Sequence, residues 1–348
     1  MEKIKVLCVD DSALMRKIMR EILDQQPDME VVGCAADPYI AREMIKQRHP
    51  HVLTLDIEMP RMDGLSFLEK IMRLRPMPVI MVSTLTTNGS QATLRALELG
   101  AVDFVTKQTL NFKQGVSAYA NLLSDKIRVA AKANIIKRRY QVAKYPKLNL
   151  PLPQITNDVI AIGASTGGTE AIRHLLQGLP QNIPAIVVAQ HMPAGFTRSF
   201  AERLNRCCFL QVKEAEQGEK LLSGHVYIAP GNFHLALTKT GRYYQIVLHQ
   251  QDMVNHHRPS VDNLFFSVAQ TAGKRATGMI LTGMGNDGAM GLLAMRQAGA
   301  YTFAQNEKSC VVYGMPKVAL QLNAVDEVGD INDLGRLLLD KLEQRYAV

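Results

Sequence analysis

The chain alternates short β-rich runs with helix-length amphipathic stretches, and it does so twice. That alternation limits it to parallel-sheet architectures. In the first 110 residues KVLCVD, VVGCAA, VLTLD, PVIMVS and DFVTK read as five strands. Between them lie helical patterns such as SALMRKIMREILDQ, with Leu14, Ile18 and Ile22 on one apolar stripe, and QATLRALELG, closed by Gly100. Parallel neighbours need a crossover, and the crossover helices cover both faces of the sheet. From about residue 155 the alternation resumes with VIAIGAS, AIVVAQH, GMILTG and YTFAQ as strands. PSVDNLFFSVAQTAG and NDGAMGLLAMRQAG read as helices, and GHVYIAPGNFHLALTKTGRYYQIVLH as a hairpin turning at T-G-R. The hairpin is expected to join the sheet as an antiparallel excursion.

A chain of 348 residues should divide, because one core rarely grows past about 250–300 residues. The boundary is expected where a helix near 115–131 gives way to a basic stretch and to YPKLNLPLPQITND, with its three prolines. The expected domains are 1–120 and 155–348, joined by a linker at 121–154. Eight basic residues and no acidic ones lie between Lys126 and Lys147, which equals the net charge of +8. A nucleic-acid patch and a solvated connector both fit such a run, and the connector is the expectation. No apolar run approaches the roughly 18 residues of a membrane span, and MEKIKVLCVDDS lacks the long apolar core of a signal peptide. Five cysteines without a C-x-x-C pair suit reduced thiols in the cytoplasm. Cys207 and Cys208 are expected to fill core at a helix end.

In the first half, Asp10 and Asp11 follow the first strand, Asp56 ends the third, Ser83 the fourth, and Lys107 the fifth. Side chains at the carboxyl ends of adjacent parallel strands converge on one crevice. Three carboxylates there call for a divalent cation, and hard oxygen ligands favour Mg²⁺. With a lysine and a hydroxyl added, the set suits phosphoryl transfer to a carboxylate. Each acid alone could be a cap, as Asp11-Ser12 might for the first helix.

DDS, LDIEMPRMDG, MVS and the later lysine resemble the receiver domain of two-component response regulators, over essentially residues 1–120. The resemblance implies a flavodoxin-like doubly wound fold and Asp56 as phosphoacceptor. It implies Asp10, Asp11, Asp56 and the Glu58 carbonyl at a Mg²⁺ site. Ser83 and Phe104 would be the switch pair, Lys107 would bind phosphoryl oxygens, and a histidine kinase would be the phosphodonor. Receivers usually follow this lysine with proline, often through a cis bond. Gln108 stands here instead, and since a cis bond at a non-proline costs about 2.5–4 kcal/mol, a different loop geometry and phosphorylation lifetime are expected.

In the second half Gly163-Ala164-Ser165-Thr166-Gly167 fits G-x-S-x-G between a strand and a helix. The same glycines could cradle a dinucleotide phosphate. A dinucleotide site wants an acid at the end of the next strand, where Gln190 and His191 stand. The nucleophile pattern is therefore favoured. His191 alone could be a structural histidine, and Asp287, opening a helix, could be its N-cap. Together the three strand ends supply a serine nucleophile, a base and an orienting acid. Backbone N–H groups of Thr166 and of the Met284–Gly285 segment are placed for an oxyanion hole.

IGASTGGTEAIRHLL, QHMPAGFTRSFAERLN, YIAPGNFH, HRPSVDNLF and LTGMGNDGAMGLLAMRQAGA resemble the catalytic domain of the chemotaxis protein-glutamate methylesterase family, from 155 to about 320. That resemblance implies a mainly parallel doubly wound domain and a Ser165–His191–Asp287 triad. It implies hydrolysis of γ-glutamyl methyl esters on methyl-accepting chemoreceptors, deamidation of particular receptor glutamines, and no cofactor for ester hydrolysis. It also implies a receiver that covers the catalytic cleft until Asp56 is phosphorylated.

His256-His257-Arg258 is expected at the surface, with Arg258 and Ser260 as candidates for shaping the cleft. Two other classes fit parts of the pattern. A transcriptional regulator lacks a helix-turn-helix signal here, so no nucleic-acid partner is expected, and no membrane insertion. A catalytically dead receptor adaptor would not need Ser165, His191 and Asp287 together.

Overall fold

The computed structural model describes residues 2–84, 86–107, 113–135 and 158–346. The chain divides into two compact units, Met1–Arg138 and Arg139–Val348. Gln108 lies outside the described residues, as do 136–157, most of the expected linker.

The first unit runs β1 (Ile4–Val9), α1 (Ala13–Asp24), β2 (Met29–Ala35), α2 (Pro38–Arg48), β3 (Val52–Asp56), α3 (Gly64–Leu74), β4 (Val79–Ser83), α4 (Thr87–Glu98), β5 (Asp103–Thr106) and α5 (Lys113–Ala130). Its five strands are all parallel in the order β2-β1-β3-β4-β5, which is the flavodoxin-like order. β3 and β4 are buried along their whole length, as strands covered on both faces must be.

Two details differ from the sequence expectation. The stripe of α1 that packs inward is Met19, Ile22 and Leu23, whereas Leu14 is 67% exposed. Both sets fit a 3.6-residue period, and only packing distinguishes them. α5 ends at Ala130, as expected of the helix near 115–131, and so carries the first unit ten residues past the domain bound expected at 120. Two cations at the start of the basic run are therefore ion-paired on this helix, Lys126 with Asp103 at 2.7 Å and Arg128 with Asp28 at 2.8 Å.

The second unit contains β6 (Val159–Ala164), α6 (Gly168–Gly178), β7 (Ala185–Gln190), α7 (Phe196–Cys207), β8 (Gln211–Glu214), β9 (His225–Ile228), β10 (His234–Thr240), β11 (Tyr243–His249), α8 (Val261–Ala272), β12 (Ala276–Ile280), α9 (Ala289–Gln297), β13 (Tyr301–Gln305), α10 (Met315–Gln321), β14 (Glu327–Gly329) and α11 (Ile331–Tyr346). Seven strands form a parallel sheet in the order β14-β13-β12-β6-β7-β9-β8. β6 and β7 are central and buried throughout.

The hairpin β10–β11 turns at Gly241, φ +61°, as the T-G-R signal predicts. It does not join the large sheet but forms its own two-stranded sheet. α8 holds it instead: Leu237 N donates to Ser267 Oγ and Thr271 Oγ1 donates to Leu237 O. The first part of the run, β9, pairs in parallel with β7. Cys207 is exposed rather than core-filling, because α7 ends at the surface there.

Candidate active site

The chemistry-bearing residues of the second unit gather where strand order reverses direction. β6 is followed by β7 on one side and paired with β12 on the other, and such a crevice at the carboxyl ends is where open α/β sheets place ligands. Ser165 follows β6, His191 follows β7, and Asp287 lies in the loop between β12 and α9.

The turn carrying Ser165 is forced by packing. Gly167 has φ +77°, and a Cβ there would lie 2.1 Å from Val311. A Cβ on Gly168 would lie 2.2 Å from the Gln190 side-chain oxygen. Gln190 Nε2 donates to the Ser165 carbonyl at 2.9 Å and to the His191 carbonyl at 3.2 Å. One buried amide thus ties the two strand ends together. On the other side Ser165 N donates to Thr282 O at 3.0 Å, and Thr282 Oγ1 donates to Thr166 O at 3.0 Å.

His191 Nε2 and Asp287 Oδ2 are 2.7 Å apart, with both side chains almost fully buried. Asp287 is not the cap of α9, whose N-cap is Gly288 without a side-chain bond. Its carboxylate turns to α8. It accepts Val261 N at 2.7 Å, Asp262 N at 3.1 Å, Ser260 Oγ at 2.8 Å and Asn255 Nδ2 at 2.9 Å. Burial opposes its charge, but the His191 contact and these donors outweigh it and hold the carboxyl well below the ordinary range. An ionised Asp287 facing Nε2 keeps the proton on that nitrogen, so Nδ1 carries the lone pair. Nδ1 is buried and has no hydrogen-bond partner, and the Ser165 hydroxyl does not bond to it. The Met284 amide bonds to no acceptor among the described residues, although its side chain is exposed.

His257 departs from its expected surface role. Its ring stacks on His191 with centroids 3.6 Å apart and planes 16° from parallel. Asn255, His257 and Asp262 have no place in a strand-end reading of the sequence, and that reading assigns no role to Gln190 or Thr282, which stand at or just after strand ends. The one usable signal is local: NHHRPS carries neither helix nor strand periodicity, which marks a polar loop of the kind that often bears function. Ser260, a candidate for shaping the cleft, bonds Asp287 directly and caps α8 through Asn263 N. Arg258 instead secures the loop, donating to Gln250 O, Gln251 O and Asn232 Oδ1.

In the first unit, oxygen atoms of Asp10, Asp11 and Asp56 lie within 4.8 Å of one another. Lys107 Nζ is 2.7 Å from Asp56 Oδ2 and 3.2 Å from Asp10 Oδ2. The buried Asp10 Oδ2 faces the Lys107 ammonium. Asp11 is exposed. Such an all-oxygen set, three carboxylates against one ammonium, fits a hard divalent cation. Burial, chiefly, raises the Asp56 carboxyl to about 6; Lys107 opposes that rise and the Asp10 charge adds to it. The Glu58 amide bonds Asp56, while the Glu58 side chain is exposed.

Ser83 is buried but turned aside. Its hydroxyl lies 3.2 Å from Thr84 O and 3.3 Å from Gly89 O, and it accepts Thr93 Oγ1 at 2.7 Å. Phe104 is buried, with Lys126 Nζ 5.3 Å from its ring centroid. Ser12, not Asp11, caps α1, accepting Met15 N at 3.4 Å.

Fold and residues together define a receiver-type α/β unit joined in one chain to a second α/β unit of hydrolase design. Comparison with known proteins gives that class its particular family. The family described as Response regulator receiver domain matches residues 6–118, and CheB methylesterase matches residues 160–338. The chain is 59% identical to the protein-glutamate methylesterase/protein-glutamine glutaminase of Pectobacterium atrosepticum, covering all of this chain and 99% of that protein. It is 58% identical to the protein of that name from Escherichia coli O157:H7, with the same coverage. The crystal structure of the Thermotoga maritima CheB methylesterase catalytic domain is 39% identical and superposes with a TM-score of 0.53, covering 54% of this chain and all of that one. The chain belongs to the CheB methylesterase family and carries a response-regulator receiver domain. No helix among the described residues is long and apolar enough to cross a membrane.

Proposed function

We propose that this protein is a phosphorylation-activated serine hydrolase of the cytoplasm that demethylates γ-glutamyl methyl esters on chemoreceptors and deamidates particular receptor glutamines. The observation that carries the reading is the 2.7 Å contact between His191 Nε2 and the ionised Asp287, which leaves Nδ1 to serve as the base for Ser165.

Nδ1 takes the hydroxyl proton as Ser165 Oγ bonds to the ester carbonyl carbon. The Thr166 and Met284 amides donate to the oxygen that becomes negative. His191 returns the proton to the departing methoxide, so methanol leaves and an acyl-serine remains. Water, deprotonated by the same nitrogen, then releases glutamate and regenerates the serine. A primary amide follows the same route with ammonia as leaving group.

In the receiver, Asp56 takes the phosphoryl group from a histidine kinase. Asp10, Asp11 and Asp56, with the Glu58 carbonyl, would hold Mg²⁺, which supplies charge neutralisation for the transferring group. Lys107, already against Asp56, binds phosphoryl oxygens. The Ser83 hydroxyl then leaves Gly89 O to face the new phosphoryl group, and Phe104 repacks with it. The unphosphorylated receiver restrains the esterase, and this switch relieves the restraint.

The test is methanol release from methylated chemoreceptor membranes, with and without a small phosphodonor. Wild type is expected to respond to the phosphodonor, Ser165→Ala to release nothing, and Asp56→Asn to stay at the basal rate. Absence of release from wild type in both conditions would leave a phosphorylatable receptor adaptor instead.

A further inference from the structure

The loop between β11 and α8 holds both members of the His191–Asp287 pair. Val254 and His257 face each other as an isolated antiparallel bridge, with Val254 N to His257 O at 3.2 Å and His257 N to Val254 O at 2.9 Å. The two residues between them, Asn255 and His256, have φ of +51° and +63°. The turn is anchored by Arg258, which donates to Gln250 O and Gln251 O at 3.0 and 2.9 Å. From this one turn Asn255 reaches the Asp287 carboxylate, while the His257 ring is laid on the face of His191 at 3.6 Å.

The contacts along the edge of the His191 ring are incomplete. One nitrogen bonds Asp287, and the other has no partner. A ring held at one edge atom can still tilt about the line of that bond. A second planar ring at van der Waals distance removes the tilt and keeps water off that face.

We propose that His257 is a positioning residue for this reaction: its ring fixes the plane of the His191 imidazole, keeps Nδ1 directed to Ser165, and excludes water from one face of the imidazole. The inference rests on the hydrolase reading above, in which Ser165, His191 and Asp287 act together.

The test uses the full-length chain with His257→Ala and His257→Phe, and two readouts. One is phosphodonor-stimulated methanol release. The other is the rate of Ser165 labelling by a fluorophosphonate, in which Oγ bonds to phosphorus, fluoride leaves and His191 takes the proton. His257→Ala should lower kcat and the labelling rate about tenfold, a modest share of what misplaced catalytic groups lose, with KM for receptor unchanged. His257→Phe, which keeps a flat ring on His191, should recover most of both. Labelling of His257→Ala at the wild-type rate, or a Phe variant no better than Ala, would overturn the inference while an active wild type keeps the hydrolase reading. A wild type that neither releases methanol nor labels at Ser165 overturns the hydrolase reading, and this inference with it.

Discussion

Asp287 and Asp262 cap each other's helices. Asp287, from the loop before α9, accepts the Val261 and Asp262 amides in the first turn of α8. Asp262, within that turn, accepts Gly291 N at 2.7 Å in the first turn of α9. Asn255 Nδ2 bridges the two carboxylates at 2.9 Å each. Helix N-termini attract negative charge, so two close acids are accommodated, but unequally. Asp262 is pushed up, by burial first and by the Asp287 charge as well, while Asp287 is held down. The acid kept ionised is the one that meets His191.

Asp287→Asn should cut turnover by about 10⁴, as removing the charge of the orienting acid does in serine proteases. The amide oxygen can still accept one of the two α8 amides, but its NH2 group meets the other, so part of the capping stability should be lost as well. Asp287→Ala removes the cap as well and should cost a further ~1–2 kcal/mol in the catalytic domain. Kinetics and urea melts of both variants separate the two roles. A loss of turnover below about tenfold in Asp287→Asn would leave only the helix role.

The same carboxyl makes stability depend on pH. Its folded pKa lies below the unfolded one, so its contribution is present above the ordinary Asp range, about 4, and is lost as pH falls. Urea midpoints of the catalytic domain should show wild type more stable than Asp287→Ala at pH 7, with the gap narrowing below about pH 4.

Asp56 has the opposite sign. Its carboxyl is raised from 3.8 to about 6, so the folded receiver holds the proton more tightly than the unfolded chain. Receiver stability should therefore fall as pH rises from about 4 to about 6. Without divalent cation, Asp56→Asn should stabilise the receiver by about 1–3 kcal/mol at pH 7.5. The gain should vanish near pH 4. Equal midpoints at both pH values would contradict this.

Mg²⁺ should raise the receiver's unfolding midpoint by binding the folded form alone. Asp11 is exposed and outside the Lys107 contacts. Asp11→Asn should leave the metal-free midpoint near that of wild type, yet raise the Mg²⁺ concentration needed for half the shift at least about tenfold. Removal of the metal by EDTA should return wild type to its metal-free midpoint.

Thr282→Val tests the support of the nucleophile turn. The hydroxyl is fully buried, reaches Thr166 O at 3.0 Å and Val312 O at 3.2 Å, and accepts Val312 N at 3.0 Å. The nearly isosteric methyl leaves buried backbone groups unsatisfied, which should cost about 1–3 kcal/mol. Turnover should fall with KM unchanged, because the turn that carries Ser165 and the Thr166 amide keeps only its backbone bond to Thr282 and loses the hydroxyl tie.

Much of this protein is legible in the order of its residues. Short apolar runs bounded by turn residues are local features, so VLTLD, VIAIGA and AIVVAQ declare themselves, and with them the residues at or just after each strand end: Asp56, Ser165 and His191. Parallel pairing then sends those ends to one edge of each sheet. What the sequence could not decide depends on contacts whose partners lie far apart in the chain. Asp287 precedes α9 and reads as its cap, but its carboxylate turns to α8, 25 residues earlier at Asp262. The hairpin β10–β11 has the right turn and alternation, yet packing against α8 keeps it out of the main sheet. His257 lies in a stretch without periodicity and still comes to rest 3.6 Å from His191. A loop's course follows from the surfaces it packs on, and those surfaces exist only once the sheet and helices have assembled.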